Sequence, residues 1–193
     1  MLRRLYDWTI SLAERRNALW ALAVVSFVES SVFPIPPDVL MIPMIIATPH
    51  RAFLIASVCT AASVLGGMLG YALGFFFYET LGAPILHFYG YTAKFAEFQA
   101  AYNDWGAWAV LMAGVTPFPF KVITILSGLT GLDFLVFSVA AVLARGARFF
   151  LVAALLWKFG PPIRSFIEQR LGLVATVFLV LLFGGFVVAR YAL

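Results

Sequence analysis

Two long apolar stretches of this chain are each broken in the middle by prolines followed by a charge. The first reads Pro34-Ile35-Pro36-Pro37-Asp38-Val39 and the second Pro117-Phe118-Pro119-Phe120-Lys121-Val122. Aligned, Pro34 meets Pro117, Pro36 meets Pro119, and Asp38 meets Lys121, so the position of the charge is kept and its sign inverted. A second match follows, Phe53-Leu54-Ile55-Ala56-Ser57-Val58 against Phe134-Leu135-Val136-Phe137-Ser138-Val139. Proline removes a backbone donor and stops a continuous helix. In hydrocarbon every backbone polar group needs a partner, so such breaks survive only when buried in protein or lining a wet cavity. Broken apolar segments at matching places in two halves of a chain point to an internal duplication with a binding site at its centre.

Composition says which solvent the chain is built for. Hydrophobic residues make up 63% and charged residues 11% of the sequence, and the mean hydropathy is +0.99. Soluble domains have about 45–50% apolar and about 25% charged residues. The expected class is therefore an all-α integral membrane protein with no soluble catalytic domain. The net charge of +4 comes mainly from basic residues beside apolar spans, where the positive-inside rule accounts for them without nucleic acid. The lone Cys59 excludes an internal disulfide framework, and a buried thiol is its expected role.

Residues 52–78 and 134–158 each reach the roughly 20 apolar residues that cross a bilayer, and 171–190 does so as a third span. Segments 18–48 and 106–131 read instead as two arms of about 11 residues, each covering about 17 Å. Such arms suit re-entrant hairpins; a single kinked span in each place is the alternative. The expected organisation has four parts. Residues 1–17 form an interfacial amphipathic helix anchored by Trp8. Residues 18–160 form the membrane domain, made of one unit over 18–78, a connector over 79–105 and a second unit over 106–158. Residues 161–193 hold a cytoplasmic loop and the last span. The aromatic, mixed-charge connector reads as one or two interfacial helices. With hairpins and a cytoplasmic N-terminus, Arg3, Arg4, Arg15, Arg16, Arg51, Lys158, Arg164 and Arg170 lie inside, and the two units are inverted relative to one another. Gly66, Gly70 and Gly74 recur every four residues on 52–78, a stripe that lets another helix approach closely.

Five ionisable residues fall in apolar surroundings: Glu29, Asp38, Lys121, Arg145 and Arg148. Each costs at least about 2.5–3.5 kcal/mol at the centre of a spanning helix. Mutual pairing is the structural explanation. Three positive groups against two negative ones leave a surplus that an anion such as a lipid phosphate would complete, through the planar fork of Arg and the point charge of Lys. Arg145 and Arg148, three apart, share a helix face. Glu29 and Asp38 are candidates for a protonatable switch.

These residues resemble the DedA family of membrane proteins, also described as VTT-domain or SNARE-associated proteins. The resemblance rests on Glu29, Pro34-Ile35-Pro36-Pro37-Asp38 and the Gly66–Gly74 helix. It continues through Gly106-Ala107-Trp108-Ala109-Val110, Thr116-Pro117-Phe118-Pro119-Phe120-Lys121, Ser127-Gly128 and Arg145-Gly146-Ala147-Arg148. It covers residues 25–160 and is nearest to the small YqaA-like branch. The family's second motif carries an arginine before its proline and another after it. Here Gly114 or Val115 takes the first place and Lys121 the second, which puts any transfer of mechanism in doubt. The resemblance implies paired re-entrant helices, movement of lipids or isoprenyl phosphates across a bacterial inner membrane, and proton dependence in some members. Glu29 and Asp38 match its acidic positions.

The expectation is thus a lipid translocase with a charged site at the tips of two hairpins, its partner an anionic phospholipid or isoprenyl phosphate. The hairpin prolines are Pro34, Pro36, Pro37, Pro117 and Pro119. A proton-coupled transporter of a small solute is the alternative, and a structural or partner-binding membrane protein a further class. An enzyme is disfavoured: His50 and His87 are the only histidines, and neither a nucleophile nor a metal-ligand spacing is visible. No cofactor and no metal is expected, and homo-oligomerisation is left open.

Overall fold

The computed structural model describes residues 17–31, 36–116 and 118–169, with side chains to residue 160. The expected N-terminal interfacial helix and the 171–190 span lie outside the described residues, as do Pro34 and Pro117. Every described element is helical: α1 (Ala18–Ser31), α2 (Asp38–Ala47), a 3-10 turn, α3 (Ala52–Phe77), a π turn, α4 (Ala83–Phe88), α5 (Thr92–Val115), α6 (Phe120–Leu129) and α7 (Phe134–Gln169). Two helices are long and apolar enough to cross a membrane, over Pro49–Phe88 and Phe134–Gly160.

The breaks fall where the prolines put them. Pro37 sits just before α2 and Pro119 just before α6, positions where a missing N–H deprives the helix of nothing. Two boundaries differ from the sequence reading. The second connector helix does not stop at 105 but runs on as α5 to Val115, because Lys94 through Val115 contains no proline to interrupt it. Helical backbone in α7 likewise continues past Gly160 to Gln169, where a loop was expected from 161.

Side-chain register fixes the direction of each helix. Ser26 Oγ donates to the Cys59 carbonyl at 2.8 Å, and Ser30 Oγ meets Ser63 Oγ at 2.7 Å. Both numbers rise together, so α1 runs parallel to α3. Phe53 stacks near Phe150 and Trp157, Tyr71 packs on Phe134 and Phe137, and Arg145 reaches Ser63. Hence α7 runs antiparallel to α3, and the two cross near Ser63 and Arg145. Gly106 lies against Leu132 and Gly114 against Ala144, which makes α5 parallel to α7. Tyr102 hydroxyl meets Ser127 Oγ at 2.9 Å and Gln99 donates to the Thr130 carbonyl at 2.6 Å, while Gly114 sits by the Phe120 ring. Thus α6 folds back along α5.

The first pair does the same from the other end. Asp38 begins α2 beside Arg148. Met44, Ile45 and Ile46, near the end of α2, share a buried cluster with Ala18, Leu22, Ala52, Ile55 and Leu156. A second cluster, built on Val110, Phe120, Leu132, Phe137, Ala140 and Ala141, serves the α5–α6 pair. The two helix pairs therefore approach the α3–α7 crossing from opposite ends, with the last turn of α1 and the first residues of α2 and α6 at its level.

Glycine makes the close approaches possible. A Cβ at Gly66 would run into the Phe27 carbonyl of α1, one at Gly70 into Thr124 Oγ1, and one at Gly74 into the Ile125 carbonyl of α6. Gly128 answers from α6, where a Cβ would strike the Tyr71 carbonyl. The stripe read from sequence is thus the seat of both helix pairs on α3.

Candidate functional site at the helix crossing

Near the α3–α7 crossing, four of the five ionisable residues singled out in the sequence come together as two ion pairs. Arg145 Nη2 lies 2.8 Å from Glu29 Oε2, and Arg148 Nη2 lies 2.7 Å from Asp38 Oδ2. Both arginines project from α7, and the carboxylates come from the two arms of the first helix pair. Mutual pairing, weighed from the sequence as the structural explanation, is what these four side chains do. Lys121 sits in the first turn of α6, half-buried, and its carbonyl accepts a hydrogen bond from Thr124 Oγ1 at 2.9 Å. Lys121 is adjacent in sequence to Phe120, whose ring backs Arg145. Pro36, Pro37 and Pro119 border the turns without contributing polar side chains.

The two pairs differ in their surroundings. Arg145 is the largest fully buried side chain, at 1% exposure. Its guanidinium carbon lies 4.9 Å from the centre of the Phe120 ring and 4.6 Å from that of Phe149. Aromatic faces attract a cation most when water is absent. Arg145 Nε also donates to Ser63 Oγ at 2.6 Å. Ser63 Oγ and Ser30 Oγ are 2.7 Å apart, and Ser30 Oγ donates to Glu29 Oε2 at 3.1 Å. Because the Glu29 carboxylate only accepts, the one hydroxyl hydrogen of Ser30 goes to Glu29, and the Ser63 hydroxyl hydrogen points to Ser30. Arg145, Ser63, Ser30 and Glu29 thus close a ring in which Arg145 donates to both sides and Glu29 accepts from both.

Asp38–Arg148 has less support. Arg148 is 21% exposed, Nη1 donates to the Thr116 carbonyl at 3.2 Å, and Nη2 holds Asp38. Phe149 touches it only from 5.9 Å. Valines adjacent in sequence to the residues at this end, Val115 at 51%, Val39 at 46% and Val122 at 45%, are exposed.

Several contributors were not picked out from sequence: Ser30, Ser63, Thr124, Phe120 and Phe149. Thr124 Oγ1, fully buried, shares its one hydroxyl hydrogen between the Lys121 carbonyl at 2.9 Å and the Ser30 carbonyl at 3.2 Å. It thereby satisfies one of the carbonyls left over at the end of α1 and ties the second helix pair to the first. The signal was present in part. Ser26 and Ser30 are four apart, and Ser63 and Cys59, three and seven residues before Gly66, continue the face of the Gly66–Gly70–Gly74 stripe by two turns. Among the described residues, no three His, Cys, Asp or Glu side chains come together as a metal site.

No family model matches the chain, and no solved structure matches it. Two curated proteins do. An uncharacterized protein of Haemophilus influenzae is 39% identical over 168 residues, 85% of this chain and 87% of that protein. An uncharacterized protein of Histophilus somni matches with the same identity and coverage. The chain belongs to the family of these two proteins.

Proposed function

We propose that this chain is a DedA-like membrane protein that moves a lipid with an anionic head group, a phospholipid or isoprenyl phosphate, across the bilayer. In this reading α3 and α7 span the membrane. The α1–α2 and α5–α6 pairs are re-entrant hairpins entering from opposite faces, each half of the chain supplying one hairpin and one span in inverted orientation. Placement in a bacterial inner membrane with a cytoplasmic N-terminus follows from the same resemblance and from the distribution of basic residues.

The observation that carries the reading is the partly open Asp38–Arg148 pair, its arginine near the middle of the apolar Phe134–Gly160 stretch of α7, with exposed Val39, Val115 and Val122 next in sequence to Asp38, Thr116 and Lys121. An anion arriving there meets an arginine while its body stays among apolar side chains, which suits a lipid better than a soluble ion. The outer surface supports a lipid environment. Leu65, Leu135, Leu143 and Leu151 on the two long helices are 58%, 72%, 59% and 63% exposed, while Arg145 is sealed inside. Exposed apolar faces of that extent are an association hazard in water.

Reconstitution tests it. Liposomes carrying fluorescent phosphatidylglycerol in both leaflets are treated with a quencher that does not cross the membrane. Wild-type protein is expected to make both leaflets quenchable, and Arg148→Gln or Lys121→Met to slow this at equal amounts of folded protein. Quenching confined to the outer leaflet with wild type, for both phosphatidylglycerol and an isoprenyl phosphate, would contradict it.

A further inference from the structure

We propose that the two ion pairs divide the work: Asp38–Arg148 is an exchangeable latch, opened when a lipid phosphate takes the place of Asp38 on Arg148, while Glu29–Arg145 stays closed. This rests on the lipid-transport reading above and adds to it which arginine meets the head group. Three independent features of the site separate the pairs. The first is access to the cation: Arg148 is 21% exposed and Arg145 1%, while Glu29 and Asp38 are each 13% exposed. The second is hydrogen bonding. Opening Glu29–Arg145 breaks the ring through Ser63 and Ser30 and strands a guanidinium between Phe120 and Phe149. Opening Asp38–Arg148 leaves Nη1 on the Thr116 carbonyl, so the fork stays oriented while Nη2 turns to a new oxygen.

The third is the position of each carboxylate on its helix. Glu29 lies in the last turn of α1, and Asp38 is the first residue of α2. A helix carries partial negative charge at its C-terminus and partial positive charge at its N-terminus. Glu29 released from Arg145 would face repulsion from its own helix. Asp38 released from Arg148 keeps the favourable end of α2. The latch therefore has a resting place for its carboxylate and the anchor has none. Arg148 holds Asp38 through Nη2, and the same donor can make a charge-assisted bond to a phosphate oxygen, so the exchange conserves the type of bond made.

A binding experiment distinguishes latch from anchor. Full-length protein in a non-ionic detergent is titrated calorimetrically with dihexanoyl phosphatidic acid, and in parallel with inorganic phosphate. The proteins are wild type, Asp38→Asn, Glu29→Gln and Arg148→Gln, each confirmed to be folded. If Asp38 occupies Arg148 in about nine molecules of ten, removing its charge tightens phosphatidic acid binding about tenfold. Arg148→Gln is expected to abolish binding, and Glu29→Gln to bind no tighter than wild type. Should Glu29→Gln not fold, Ser63→Ala opens the ring with both charges kept, and it too is expected to bind no tighter. Should Arg148→Gln not fold, Arg148→Lys keeps the charge without the fork and is expected to bind more weakly than wild type. Tightening in the ring variants equal to that in Asp38→Asn would overturn the division, as would an Asp38→Asn protein no tighter than a wild type that binds. Absence of phosphatidic acid binding in every protein, or equal affinity for inorganic phosphate, would instead overturn the lipid reading itself.

Discussion

Glu29–Arg145 and Asp38–Arg148 are chemically the same kind of bond, made three residues apart on one helix, yet they sit in different physical settings. In the first the arginine is fully buried, flanked by two rings and joined to its carboxylate through two serines, and Glu29 is 13% exposed, as Asp38 is. The second reaches the surface and leans on one backbone carbonyl. Taking two charges out of water is repaid only when geometry is good and the remaining donors find partners. The Ser63–Ser30 ring meets that requirement for Arg145, and the rim position of Arg148 relaxes it. One pair is built to hold the two halves of the molecule together, the other to be opened.

Removing one partner of the sealed pair has the largest expected effect on stability. Arg145→Ala leaves the largely enclosed Glu29, 13% exposed, without its cation, and breaking buried pairs destabilises by about 3–5 kcal/mol. Denaturant or thermal unfolding in detergent measures it, and a loss below that of Arg148→Gln would reverse the comparison. Next comes Gly66→Val, which forces side-chain atoms into the Phe27 carbonyl and lifts α1, with Glu29, off α3. Overpacking of this kind costs about 1–3 kcal/mol or more, read in the same unfolding assay. Ser63→Ala breaks the ring and deprives a buried Arg Nε–H of its acceptor, for about 1–3 kcal/mol. Restoration by Ser63→Thr, which keeps the hydroxyl, would tie that loss to the hydrogen bond. The smallest change is expected for Arg148→Gln. A partly exposed pair contributes about 1 kcal/mol or less, so this variant should melt close to wild type while losing anionic lipid binding.

Much of this arrangement was legible in the sequence because prolines and buried charges are locally unambiguous. Pro37 and Pro119 put the starts of α2 and α6 within a residue of where they lie. The spacing of Arg145 and Arg148 placed both on one face, and both do point into one site. The choice of partners was not legible: either arginine could have met either carboxylate, and only the parallel packing of α1 on α3 brings Glu29 to the level of Ser63. Serines and threonines escaped for a related reason. A hydroxyl such as Thr124 Oγ1 binds its own preceding turn in most helices, and its second bond, to the Ser30 carbonyl of another helix, exists only in three dimensions. The length of α5 was misjudged because the composition changes from mixed to apolar near Gly106 while the helix itself is uninterrupted.

The most direct test of the whole account asks whether each helix pair leaves the membrane on the face it entered. Single cysteines replace Asn17, Arg51, Glu97 and Asp133, all exposed, in a Cys59→Ser background, and sealed cells are treated with an impermeant thiol reagent. Re-entrant pairs predict that positions 17 and 51 behave alike, that 97 and 133 behave alike, and that the two groups lie on opposite faces. Separation of 17 from 51, or of 97 from 133, would mean that the helix pairs cross the membrane and would contradict the account.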